Sequence, residues 1–199
     1  MSDLAELQRR YAELTVRFGI NLQPEQCVII SAEIIARDFV TLLVDECYRA
    51  GANFVQVQWG EPKTGRSRML HAQEAHVDYL PEYEVTRFEQ YAKERWARIA
   101  VTGEEFPDLF EDVDPKRLSK FQSTRARLLK TYVEAQMSNK MQWTVVAAPT
   151  PNWAMKVFPD LTADQAMERL WGLVLKMVRA DLPDPVQAWR EHDNRLKKV

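Results

Sequence analysis

Short apolar runs alternate with helical stripes of apolar residues along most of the chain. Four runs are short and rich in β-branched or aromatic residues, which is typical of strands buried in a parallel sheet. They occupy residues 26–32, 53–59, 97–102 and 143–148. Apolar residues at spacings of three and four predict helices at 3–18, 37–50, 82–95, 114–137, 162–182 and from 184 onward. This alternation predicts an α/β fold, with a mostly parallel sheet of four or five strands and helices on both faces.

Several helix ends are marked by residues that suit them. A side-chain oxygen just before a helix accepts a hydrogen bond from a free backbone N–H group, and proline fits the first helical position. Such starts are predicted at Asp114–Pro115, at Asp184–Pro185 and at Thr162, where Gln165 completes a capping box. Pro183 is expected to end the preceding helix. Residues 60–81 are expected to form a loop with a short helix, and the proline-rich segment 149–160 an irregular connection.

Length and composition indicate one ordinary globular domain. The 199 residues are 46% apolar and 28% charged, which suffices for a hydrophobic core of its own. The formal net charge of −2 gives no attraction to nucleic acid or to an anionic membrane. No apolar run is long enough to cross a bilayer, and the acidic N-terminus is unlike a secretory signal. We therefore expect a cytoplasmic protein with neither nucleic-acid nor membrane partners.

The two cysteines do not indicate a reactive site. Cys27 falls in a predicted strand and Cys47 in a predicted helix, and no CxxC motif joins them to a metal. The simplest interpretation is two buried or half-buried thiols in a reducing compartment.

Candidate metal ligands are few. His71 and His76 are five residues apart and so do not share a helical face, although Glu74 and Asp78 lie between and beside them. A loose surface site is one interpretation of this segment, and a solvated polar segment is the other. His192 is expected to be exposed or packed against the preceding helix.

The strand ends offer the remaining candidate chemistry. Neither a glycine-rich phosphate loop nor a GxSxG elbow occurs, and Glu33 after the first strand would repel a phosphate. An acidic cluster follows the third strand: Glu104, Glu105, Asp108, Glu111, Asp112 and Asp114. Its first interpretation is a solvated turn and helix start, where carboxylates are favoured. An alternative is a small-molecule enzyme site built from Glu33, Trp59 and this cluster.

Several longer motifs resemble the thermophilic-aminopeptidase family of metallopeptidases, of the aminopeptidase T and aminopeptidase S type. They are FGINLQPEQ, CYRAGANFVQVQW, the acidic VDP helix start, WTVVAAPTPNWAMKVFPD, MERLWGLV and DPVQAWREH. The resemblance extends from about Phe18 to His192. It implies a cytoplasmic, dimeric enzyme of two domains that removes N-terminal amino acids from peptides. It also implies that two divalent metal ions (cobalt, zinc or magnesium) are held by Glu, His, Tyr and Asp side chains of the C-terminal domain.

By this resemblance, residues 1–199 match the N-terminal, non-catalytic domain alone. No residue here corresponds to a family metal ligand, so we assign no catalytic, cofactor-binding or metal-binding residue, and we expect the chain alone to be inactive. Its last helix keeps its apolar phase to Val199 without a terminating residue, and we expect the C-terminal metal-binding domain to be absent. The expected partners are that domain and a second copy of the chain. The alternative is a stand-alone binding or oligomerisation module with the same fold.

Overall fold

The computed structural model describes residues 2–198, and a four-stranded sheet forms its centre. The strands are β1 (Cys27–Glu33), β2 (Phe54–Gly60), β3 (Ala97–Thr102) and β4 (Trp143–Ala147). Their order across the sheet is β2-β1-β3-β4, and each neighbouring pair is parallel. The predicted α/β fold is confirmed, and each strand begins and ends within one residue of its predicted bounds.

Helices connect the strands and follow the last one. They are α1 (Ser2–Leu14), α2 (Arg37–Arg49), α3 (Pro62–His71), α4 (Glu82–Lys93), α5 (Pro115–Leu128), α6 (Lys130–Met137), α7 (Pro151–Val157), α8 (Ala163–Met177) and α9 (Pro185–Leu196). A π-helical turn (Thr15–Gly19) continues α1, and a 3₁₀ turn (Ile34–Ala36) precedes α2. No helix within residues 2–198 combines the length and apolarity needed to span a membrane.

Both faces of the central strand β1 are buried. Successive strand residues point to opposite faces, so Val28 and Ile30 lie on one face and Ile29 on the other. Val28 and Ile30 join a large apolar cluster with α1, α2 and α8, whereas Ile29 joins a second cluster with α4 and α6. Helices therefore cover both faces, as predicted, which explains why β1 is an almost continuous apolar run.

A tyrosine hydroxyl group lies at each edge of the sheet. β2 and β4 are the edge strands, and unpaired backbone groups along an edge can pair with another chain. The Tyr48 hydroxyl accepts a hydrogen bond of 3.3 Å from the backbone N–H of Val55 in β2. The Tyr11 hydroxyl accepts one of 3.1 Å from the backbone N–H of Ala147 in β4. At these positions the edges are satisfied from within the chain.

The three predicted helix starts are confirmed. The side chains of Asp114 and Asp184 accept backbone hydrogen bonds at the beginnings of α5 and α9, and a proline occupies the first turn of each. Thr162 and Gln165 form both hydrogen bonds of the capping box before α8.

The expectation of an irregular connection at 149–160 is wrong, because α7 forms there. Pro151 stands in the first turn of α7, where the missing N–H of proline would have no helical partner. Pro149 and Pro159 lie outside the helix and do not interrupt it. The prolines therefore delimit a short helix.

The single helix predicted at 114–137 is divided into α5 and α6. Leu129, between them, leaves helical geometry with φ −97° and ψ 20°, and it is buried. Leu129 and Tyr132 both belong to the apolar cluster around Ile29.

Helix α8 ends earlier than predicted. It stops at Met177, because Arg179 adopts a left-handed conformation with φ 62°, so Pro183 lies well beyond the end. Along α8, Leu173 and Met177 are exposed, while Trp171 and Leu175 are buried. Val199, predicted to continue the last helix, lies outside the described residues.

Candidate functional site

The sheet has a topological switch point between β1 and β3. From β1 the chain moves to β2 on one side, and it later returns to place β3 on the other side. The connections after β1 and β3 therefore diverge, which opens a crevice at the carboxyl ends of these strands, where open α/β sheets usually bind ligands. Glu33 ends β1 and Thr102 ends β3, so both residues border this crevice.

A pocket of about 460 Å³ opens beside the end of β3. It is lined by Thr102, Gly103, Glu104, Pro107, Trp153 and Lys156. Gly103 permits the close approach of two backbones, since a Cβ atom there would collide with the carbonyl oxygen of Ala148. The sequence interpretation did not identify Gly103 or the α7 residues Trp153 and Lys156 as lining a site. A glycine directly after a predicted strand was the available signal.

Carboxylates dominate the electrostatics of the crevice. Burial raises the pKa of Glu33, and the neighbouring carboxylates Glu104, Glu61 and Glu105 raise it further, while the nearby backbone N–H of Glu105 offsets part of the increase. One carboxylate oxygen of Glu33 is buried and has no hydrogen-bond partner among the described residues. This crevice would repel a phosphate group, which agrees with the missing glycine-rich loop.

Most of the predicted acidic cluster has structural partners. Asp112 pairs with Arg66, Asp108 lies 3.2 Å from the Lys156 ammonium group, and Asp114 caps α5. The interpretation of these carboxylates as part of a solvated turn and helix start is confirmed. Within the cluster, Glu104 and Glu105 are the residues whose charges act on Glu33.

The alternative site that joins Glu33 with Trp59 is wrong in its geometry. Glu33 is in register with Gly60, whereas Trp59 is in register with Ala32, one residue earlier on β1. Because strand residues alternate between faces, Trp59 lies on the α2 side of the sheet and Glu33 on the other side. The two side chains therefore do not share one site.

Within residues 2–198, the histidines do not form a metal-ligand group with acidic residues. Glu74 binds the Arg117 guanidinium group at 2.7 Å and Asp78 lies 3.5 Å from Lys120, so both carboxylates near His71 and His76 are engaged elsewhere. Across residues 2–198, no group of three or more His, Cys, Asp or Glu side chains is placed to hold a metal ion. The interpretation of residues 71–78 as a polar surface segment therefore fits the structure better than a metal site. The ring of His192 packs against Trp189 on α9, with 5.5 Å between the centroids.

Both cysteines are free thiols, as predicted. Cys47 is fully buried in α2, and burial raises its pKa to about 12. Cys27 is half-buried, and its pKa is also raised by burial, with a smaller contribution from Glu94. Neither thiol has the lowered pKa of a reactive nucleophile.

Comparison with known proteins decides the family. The family model described as thermophilic metalloprotease (M29) matches residues 5–199. The chain belongs to the M29 family. The resemblance drawn from the sequence motifs is therefore confirmed.

The relatives of this M29 chain are aminopeptidases. Aminopeptidase AmpS of Bacillus subtilis (strain 168) is 37% identical over 196 residues, which are 98% of this chain and 48% of that protein. Aminopeptidase 2 of Geobacillus stearothermophilus is 34% identical over 190 residues, or 96% of this chain and 46% of that protein. The solved structure of wild-type AmpT from Thermus thermophilus superposes with a TM-score of 0.85 at 34% identity, covering 98% of this chain and 47% of that one. The chain spans about half the length of the relatives it matches.

The M29 family consists of metalloproteases, but the described residues do not fit a catalytic metal. The crevice carboxylates do not form a ligand group, and the histidines lie elsewhere. The assignment of no catalytic, cofactor-binding or metal-binding residue to this chain stays a prediction.

Proposed function

We propose that residues 1–199 are the N-terminal, non-catalytic α/β domain of a cytoplasmic M29 aminopeptidase, and that a C-terminal domain holds the catalytic metal ions. The observation that carries this proposal is the length of the matches: named aminopeptidases match nearly all of this chain with only about half of their own length. The lack of a converging ligand group in the described residues supports the same division.

In this proposal, catalysis takes place in the C-terminal domain, and this chain has a structural role. Two divalent metal ions, cobalt, zinc or magnesium, would polarise the scissile carbonyl group of a peptide in the other domain. This chain would wall the active-site cavity and contribute to contacts in a homodimer. The exposed apolar side chains of Leu173 and Met177, one helical turn apart on α8, support a contact surface there. Light scattering of the intact enzyme tests the dimer.

The first experiment measures hydrolysis by the chain alone. The substrate is an amino-acid amide with a chromogenic leaving group, supplied with Co²⁺ or Zn²⁺. We expect no turnover above a blank that contains the metal without protein. Turnover by the chain alone would show that it carries its own active site and would overturn the proposal.

The second experiment joins this chain to the C-terminal half of a related aminopeptidase. This chain replaces the matching half of Bacillus subtilis AmpS, and the hydrolysis rate of the chimera is compared with that of AmpS and of the AmpS remainder alone. We expect the chimera to be active. If the chimera folds but stays inactive while AmpS is active, the alternative of a stand-alone binding or oligomerisation module gains instead.

A further inference from the structure

A buried hydroxyl group lacks a partner on the face of the sheet that α4 and α6 cover. Tyr132 in α6 is only 6% exposed, and its phenol oxygen has no hydrogen-bond partner among the described residues. Buried polar groups in folded proteins are nearly always hydrogen-bonded, so an orphaned hydroxyl indicates a partner that the protein alone does not supply.

Two guanidinium groups lie near the ring of Phe88, and that ring packs against Tyr132. The Phe88 and Tyr132 ring centroids are 4.9 Å apart. The guanidinium carbons of Arg125 and Arg87 lie 5.5 Å and 5.7 Å from the Phe88 centroid. The Nε atom of Arg87 is also buried without a hydrogen-bond partner in the described part of the chain. Both described residues that carry an unpartnered buried donor, Arg87 and Tyr132, therefore neighbour the Phe88 ring.

A third guanidinium group reaches this location from the sheet. Arg98 in β3 is in register with Ile29, which belongs to the same buried cluster as Phe88 and Tyr132. Burial raises the pKa of Tyr132, while the positive charges of Arg98 and Arg125 oppose that increase. Burial lowers the pKa of Arg125 and the charge of Arg98 lowers it further, while Tyr132 and Glu84 oppose the decrease.

Negative charge at this location is scarce. Arg87 forms an ion pair with Glu84 on α4, whereas neither Arg98 nor Arg125 forms one with any described residue. Three guanidinium groups thus share one nearby carboxylate. Guanidinium and phenol groups are hydrogen-bond donors, and guanidinium in particular matches the geometry of carboxylate and phosphate.

We propose that Arg98, Arg125 and Tyr132 bind a small oxyanion from solution, carrying a carboxylate or phosphate group. Arg125 as a residue is exposed although its guanidinium group packs over the Phe88 ring, so solvent reaches one side of the location. The Arg87 Nε–H group supplies a further donor. The site lies on the face of the sheet opposite α1, α2 and α8.

The test is titration of the chain with inorganic phosphate and, separately, with succinate. Calorimetry and thermal unfolding are measured at constant ionic strength, set with sodium chloride, so that screening does not change. We expect saturable binding of one anion or both, and an increase in Tm of about 3 °C or more at ten times the Kd. The anion that binds more tightly identifies the ligand class. A Tm that responds to neither anion beyond the chloride control overturns the proposal.

Variants locate the site. Arg98→Gln and Arg125→Gln are each expected to weaken binding about tenfold or more, because each removes a charged donor. Tyr132→Phe should weaken binding without lowering the Tm of the free protein, since its hydroxyl has no partner there. Arg127→Gln is the matched control, because it removes the same charge from an exposed position two residues from Arg125 on α5. Should Arg98→Gln and Tyr132→Phe both bind the anion as the unchanged chain does, the assignment is wrong.

Discussion

A Cβ atom on residue 103 would lie 1.9 Å from the backbone carbonyl oxygen of Ala148. Gly103 follows β3 and Ala148 follows β4, whose register is continued by a 2.8 Å hydrogen bond from the Ala148 N–H to the Thr102 carbonyl. The two backbones therefore approach each other, beside the pocket that Gly103 lines, at a separation that admits only glycine.

Gly103→Ala should be strongly destabilising. The methyl group would collide with backbone rather than with a movable side chain, so we expect a loss of about 3 kcal/mol or more in the free energy of unfolding. Urea unfolding measures it. Gly172→Ala in α8 is the matched control: nothing lies within 4 Å of its Cβ position, so alanine should stabilise that helix by about 0.5–1 kcal/mol. Equal midpoints for Gly103→Ala and the unchanged protein would contradict this account of the close approach of Gly103 and Ala148.

Tyr11→Phe should weaken the edge of the sheet at β4. The variant keeps the stacking of the ring on Phe39, at 5.1 Å, but leaves the Ala147 N–H group without its acceptor. We expect a loss of about 1–2 kcal/mol in the free energy of unfolding. Tyr83→Phe, at an exposed position of α4, is the control and should change little. Equal losses in the two variants would show that the bond to Ala147 contributes nothing.

Glu33→Gln should stabilise the protein at neutral pH. The pKa of Glu33 is raised in the folded state, so folding is favoured when this group is protonated, and that advantage is lost as pH rises through the folded pKa. Removing the charge should add at most about 1 kcal/mol at pH 7, because Glu33 is partly exposed and solvent screens its charge. The gain should disappear below the ordinary pKa of 4.5, where Glu33 is protonated in both states. Thermal unfolding of both proteins from pH 3.5 to 7 checks it, and a gain that is independent of pH would contradict it.

Cys47 should be inert in the folded protein. The Cys47 thiol is fully buried, and this burial raises its pKa to about 12. The thiol is therefore protonated at pH 8. In a Cys27→Ser variant, we expect a disulfide reagent to label Cys47 only after denaturant is added. Since the raised pKa favours folding only while the thiol is protonated, stability should also fall as pH rises from 9 towards 12. Rapid labelling of the folded variant at pH 8 would be inconsistent with this burial.

The strands were predictable because their signals are local. Each is a short apolar run, and both faces of β1 are covered, so tertiary contacts agree with the sequence pattern. The helix starts at Asp114, Thr162 and Asp184 were predictable for the same reason, since a cap depends on residues within one turn. The division at Leu129 was not, because the pattern stays helical through it, whereas Leu129 leaves helical geometry where it packs against the second face of the sheet.

The proline-rich segment 149–160 contains a helix despite its three prolines. Three prolines between 149 and 160 indicated an irregular segment, yet Pro151 begins α7 and the other two flank it. Position relative to the helix start decides whether a proline breaks a helix or begins one.

The sites were predictable only in part. Glu33 was singled out because it ends a strand, but its pairing with Trp59 failed, since register and alternation place them on opposite faces. The residues Arg87, Arg98, Arg125 and Tyr132 come from four separate elements and have no shared motif. Only the tertiary fold brings them together.

The hydroxyl groups of Tyr48 and Tyr11, which accept hydrogen bonds from Val55 and Ala147, also affect how the edges of the sheet can pair with another chain. A strand from another molecule cannot use either of those backbone N–H groups without first displacing a phenol. Extension of the sheet at either margin would therefore have to break a tyrosine hydrogen bond first, which discourages lateral growth into a fibril.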